Sequence, residues 1–136
     1  MYLNHLNIPV SDVPAAAAFL SSHFAMRSLG QPSPKFALLG DDAGMVLALS
    51  NFSGAGTSAL PPAFHIGFIM ASRSEVDAMH QRLTAAGHAS PGPRKFHGSW
   101  TFYTPAPGGF TVEVQHWEGS GQDAETSLTE AANLLQ

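Results

Sequence analysis

Residues 64–70, Phe64-His65-Ile66-Gly67-Phe68-Ile69-Met70, decide the fold, because they restart an order already run once from residue 2. This apolar stretch reads as a strand, and Ser74 after it can cap a helix running to about Ala86 with Val76, Met79, Leu83 and Ala86 as its stripe. Gly87 suits the left-handed stop of that helix. The turn-rich Ser90-Pro91-Gly92-Pro93 leads to a strand over 99–104, and Pro105-Ala106-Pro107-Gly108-Gly109 turns into another over 110–116.

The earlier half follows the same plan. Tyr2 to Val10 alternates as a strand, with Leu6, Ile8 and Val10 on one face and His5 on the other. Ser11 and Asp12 offer an N-cap, and Pro14 suits a first helical turn. Ala16, Phe19, Leu20, His23 and Phe24 then recur at helical spacing. Short strands fit 27–29, 35–39 and 45–50, the last two joined by Gly40-Asp41-Asp42-Ala43-Gly44. Each half therefore reads strand, helix, three strands. The expected fold is α+β: two βαβββ modules, about 1–52 and 63–117, forming a curled mixed sheet around a cleft within a single domain, 1–117. Residues 51–62 form a connector. A polar tail, 118–136, carries a short helix from Asp123 to Leu134 or Leu135 and suits a dimer contact.

Composition narrows the function. The chain has 136 residues, 44% hydrophobic and 12% charged, which suits one domain with a real core. A net charge of −4 with six scattered basic residues argues against nucleic-acid or anionic-membrane partners. The absence of cysteine removes disulfides, zinc thiolates and thiol nucleophiles. No signal peptide or membrane-spanning run is visible, so a soluble, cytoplasmic protein is expected. There is no Gly-x-Ser-x-Gly elbow, and Gly54-Ala55-Gly56 reads as a loop, not a phosphate cradle.

His5 and His65 hold equivalent places near the start of each half's first strand, and Glu113 interrupts the apolar run Phe110-Thr111-Val112-Glu113-Val114. An ionised carboxylate there must face water or find partners inside. Two imidazoles and a carboxylate match the facial triad used for iron(II). The plain alternative is a solvent-facing or locally satisfied histidine and a glutamate on the wet side of its strand. His23, His80, His88 and His116 take that plain reading. His97 lies before Tyr103 and can reach the same cleft. Trp100 and Phe102 alternate with Tyr103 and suit the core.

These residues resemble the vicinal oxygen chelate superfamily: glyoxalase I, fosfomycin- and bleomycin-resistance proteins, and type I extradiol dioxygenases. The segments NHLNIPVSDVPAAAAFL, FHIGFIM and TFYTPAPGGFTVEVQHW carry the likeness over nearly the whole chain. The last is similar to the signature near the iron of extradiol enzymes. The resemblance implies His5, His65 and Glu113 as ligands of a divalent metal, iron(II) favoured, with manganese, nickel or zinc also accommodated. It implies Tyr103 beside a small-molecule substrate, His97 as an acid/base, and a homodimer. Aligning 44–48 with 109–113 sets Ala48 against Glu113, so the fourth ligand of glyoxalase I is missing. The expected reaction is extradiol-type ring cleavage. The alternatives are fosfomycin-type thiol transfer, glyoxalase-like isomerisation, or metal-free drug binding of the bleomycin type.

Overall fold

The computed structural model describes residues 1–54 and 60–118. The tail helix expected from Asp123 lies outside the described residues, as do Ala55 and Gly56 of the connector. The chain divides into two compact units: Met1–Phe64 with Ala106–Phe110, and His65–Pro105 with the chain from Thr111 onward. Among the described residues no helix is long and apolar enough to cross a membrane.

The first unit holds β1 (His5–Pro9), α1 (Val13–Phe24), β2 (Arg27–Ser28), β3 (Phe36–Gly40) and β4 (Val46–Ser50). Its four-stranded sheet runs β1-β4-β3-β2, with β1 parallel to β4 and the other pairs antiparallel. Asp12 caps α1 by accepting from the Ala15 N–H at 2.9 Å, and Pro14 sits in the first turn where no donor is needed. Ile8, Val10, Ala16, Phe19, Leu20, Leu39 and Leu49 are buried and form this unit's core. Leu6, expected on the same buried row, is 36% exposed, so the apolar row of β1 starts at Ile8. Gly108 belongs to this unit, with φ at +98° and its carbonyl accepting from the Ser11 N–H at 2.9 Å. A Cβ there would lie 3.1 Å from that of Val10 and 3.2 Å from that of Ala16, so the close approach itself requires glycine.

The second unit repeats the plan with β5 (His65–Ile69), α2 (Arg73–Ala85), β6 (Arg94–Phe96), β7 (Ser99–Ala106) and β8 (Phe110–Trp117). The sheet order is β5-β8-β7-β6, and β5 runs parallel to β8. The fold is thus α+β with two βαβββ runs, each with its own four-stranded mixed sheet. Val76, Met79 and Leu83 of α2 are buried, as are Phe102, Val112 and Val114 of the sheet.

Two local expectations are corrected in this unit. The cap of α2 is Ser72, not Ser74: its hydroxyl accepts from the Glu75 N–H, and the Glu75 carboxylate accepts from the Ala71 N–H at 2.8 Å. Ser72-Arg73-Ser74-Glu75 has the capping-box sequence, with the Glu75 carboxylate reaching the N–H one residue before the cap, and the Ser72–Glu75 bond favours that frame over a start two residues later. The first strand after α2, not located from sequence, is the three-residue β6, closed onto β7 through His97-Gly98. Both turn residues have positive φ (47° and 75°), the geometry of a two-residue hairpin turn of type I′.

Candidate functional site

Alternation sorts the second sheet into two faces. Trp100 and Phe102 turn to α2: the Trp100 indole N–H donates to Asp77 at 2.8 Å, and the His80 ring stands edge-on to Phe102 at 5.0 Å. Ser99, Thr101 and Tyr103 occupy the opposite face of β7. In the parallel β5–β8 ladder His65 pairs with Thr111 and Gly67 with Glu113, so both pairs share a face.

On that face His65, Thr101, Tyr103 and Glu113 meet. Glu113 is 8% exposed, so its carboxylate needs partners, and it has three. Thr101, fully buried, donates from Oγ1 to Glu113 Oε1 at 2.9 Å, with the Val114 carbonyl an alternative acceptor at 3.0 Å. His65 Nε2 lies 3.3 Å from Glu113 Oε2. The Tyr103 phenol donates to the carboxylate, and its ring stands at 90° to His65 with centroids 5.4 Å apart. Burial pushes the Tyr103 phenol well above its ordinary range; the hydrogen bond to Glu113 and that carboxylate's charge push it further, and Arg94 pulls it back. Tyr103 is therefore a neutral donor at physiological pH. Gly67 keeps the space beside the carboxylate clear: a Cβ there would lie 3.8 Å from Glu113 Oε2 and 3.5 Å from Gln115 Nε2.

His65 and Glu113 fit a divalent metal in donor chemistry and spacing. Two ligands at about 2.1 Å from one ion, at right-angled to tetrahedral angles, lie about 3.0–3.4 Å apart, and the pair is 3.3 Å apart. Thr101 holds Oε1, so Oε2 is the carboxylate oxygen that faces His65. Among the described residues no group of three or more His, Cys, Asp or Glu side chains is gathered, so this unit offers a pair and not a complete set.

His5 lies in the first unit, at the start of β1, exposed, with Nδ1 2.8 Å from Asn4 Oδ1. Its place matches that of His65: His5 pairs with Val46 and Asn7 with Ala48, as His65 pairs with Thr111 and Gly67 with Glu113. Ala48 is thus the topological counterpart of Glu113. His97 is an exposed turn residue whose ring packs on Phe96 at 3.8 Å between centroids. His116 Nδ1 lies 3.0 Å from the Met70 carbonyl oxygen, and His80 Nε2 3.0 Å from that of Ser90.

Sequence reasoning passed over Thr101 and Gly67. Strand alternation from Tyr103 and the parallel register from His65 carry the signal for both, once Glu113 is taken as inward-facing.

A family model described as the Glyoxalase/Bleomycin resistance protein/Dioxygenase superfamily matches residues 2–114, and the chain belongs to that superfamily. A solved structure of a possible glyoxalase from Bacillus cereus is 38% identical, covering 85% of this chain and 98% of that one, with a TM-score of 0.77. The genomically encoded fosfomycin resistance protein FosX from Listeria monocytogenes (20% identity, 90% and 97% covered, TM-score 0.71) shares the fold. So does lactoylglutathione lyase from Agrobacterium tumefaciens (18% identity, 85% and 92% covered, TM-score 0.68). No curated protein matches the chain. Members of the superfamily are often metalloenzymes acting on small molecules.

Proposed function

We propose that the protein is a metal-dependent enzyme that holds a small substrate by two adjacent oxygens, with His65, Glu113 and His5 as the ligands of the ion. The observation that carries this reading is the His65–Glu113 pair, 3.3 Å apart, the imidazole part-exposed and the carboxylate buried, with a neutral phenol beside it. His5 enters the set as the register equivalent of His65 on β1. A divalent ion held there supplies Lewis acidity, orienting the two substrate oxygens and offsetting charge that develops on them.

The chain's own residues do the rest. Thr101 fixes one carboxylate oxygen and aims the other. Tyr103, kept protonated by burial and by Glu113, serves as a donor and not as a base: its single phenolic proton, held by the Glu113 carboxylate in the free protein, turns to a substrate oxygen when substrate takes that place. Gly67 leaves room for the substrate beside Glu113. Within this class the specific reaction we propose is extradiol cleavage of a catechol with iron(II) and oxygen, supported by Tyr103 standing edge-on to His65. Isomerisation or addition at the same centre is the second reading, favoured by the 38% identity to a possible glyoxalase.

Oxygen uptake on a panel of catechols with iron(II)-loaded protein separates the two. Uptake with ring-opened product supports the first. No uptake with any catechol, beside turnover of an epoxide or a 2-oxo thiohemiacetal, removes it and leaves the second.

A further inference from the structure

Strand β6 brings a cation to the face that carries the His65–Glu113 pair. In the antiparallel β6–β7 ladder Arg94 lies opposite Thr101 and Phe96 opposite Ser99, so both share the face of Thr101 and Tyr103. Lys95, between them, turns to the other side, where its Nζ lies 3.4 Å from Glu118 Oε2. Arg94 is exposed, and among the described residues no carboxylate pairs with it. Its guanidinium is not adrift: it lies over the Phe96 ring, 4.9 Å from the centroid. Stacking restrains the planar group while leaving its edge N–H donors open. Its charge also reaches Tyr103, where it opposes the influences that raise the phenol.

We propose that Arg94 is the anion handle of this site, and that the substrate bears a carboxylate beyond its two chelating oxygens. The inference rests on the metal reading above and narrows its substrate class. A guanidinium edge matches a carboxylate through two parallel hydrogen bonds, which fixes orientation as well as adding affinity. The handle also answers a local problem: an anionic substrate approaching Glu113 meets a like charge, and Arg94 is the cation on that face which offsets it.

The test compares 3,4-dihydroxybenzoate with catechol, which differ by one carboxylate, using titration calorimetry on manganese-loaded and metal-free protein. The expected result is a preference for the carboxylate of about ten-fold in the parent protein. Arg94→Gln should bring the two ligands to parity, Arg94→Lys should keep part of the preference, and Lys95→Gln, which removes the same charge from the other face, should keep all of it. The inference is overturned if the parent shows no preference, if Arg94→Gln retains it, or if Lys95→Gln loses it equally. The two readings fail separately. Manganese without effect on either ligand removes the metal site, while an Arg94-dependent preference in metal-free protein still upholds the handle.

Discussion

Thr101 donates its buried hydroxyl to Glu113 Oε1 at 2.9 Å, so the one carboxylate inside the second sheet is held by the neighbouring strand before any ligand arrives. Thr101→Val keeps the shape and removes the donor. The expected cost is about 1.5–3 kcal/mol in urea denaturation, because a hydrogen bond to a buried charged group is lost. Metal affinity should fall about ten-fold to a hundred-fold as the aim of Oε2 loosens. Thr101→Ser should restore most of both; a serine variant as impaired as valine would mean that packing, not the hydroxyl, matters at this position.

Tyr103 should leave a signature at alkaline pH. Its folded-state pKa lies above the ordinary 10.0, first through burial and then through Glu113. The sign follows: the native state keeps a proton that the unfolded chain gives up, so this stabilisation is complete below pH 10 and is lost as pH rises toward the folded value. Urea midpoints measured across that range should fall more steeply for the parent than for Tyr103→Phe. With only two tyrosines in the chain, phenolate absorbance should also show one late-titrating group that vanishes in the variant. Parallel alkaline limbs would show that the folded chain does not hold Tyr103 neutral beyond the ordinary range.

Gly108 should tolerate no side chain. Gly108→Ala combines an unfavourable φ of +98° with a Cβ placed 3.1 Å from Val10 and 3.2 Å from Ala16. A loss of about 2 kcal/mol or more is expected in the urea midpoint, against little change for Gly92→Ala, where a Cβ would meet nothing.

Much of this was legible in the sequence because the chain says it twice. The two histidine-led strands, the two helix stripes and the Ala48–Glu113 correspondence all follow from repetition, and the ladder registers reproduce that correspondence residue for residue. Three points were not legible for physical reasons. Arg94-Lys95-Phe96 is too short to show a period, and its strand exists because His97-Gly98 closes it onto β7. Ser72 and Ser74 are both good caps by composition, and the Glu75 N–H, which donates to the Ser72 hydroxyl, decides between them. Thr101 is marked in the sequence only by its place two residues before Tyr103: it matters because β7 and β8 are neighbours that set its hydroxyl against Glu113. His97, singled out by its place before Tyr103, takes the hairpin turn.

The most direct measurement of the central claim is metal content and affinity, by elemental analysis and manganese titration, in the parent and in His5→Ala, His65→Ala and Glu113→Gln. The metal reading predicts near-stoichiometric binding by the parent and at least a ten-fold loss in each folded variant. Bound metal unchanged in all three variants would contradict it.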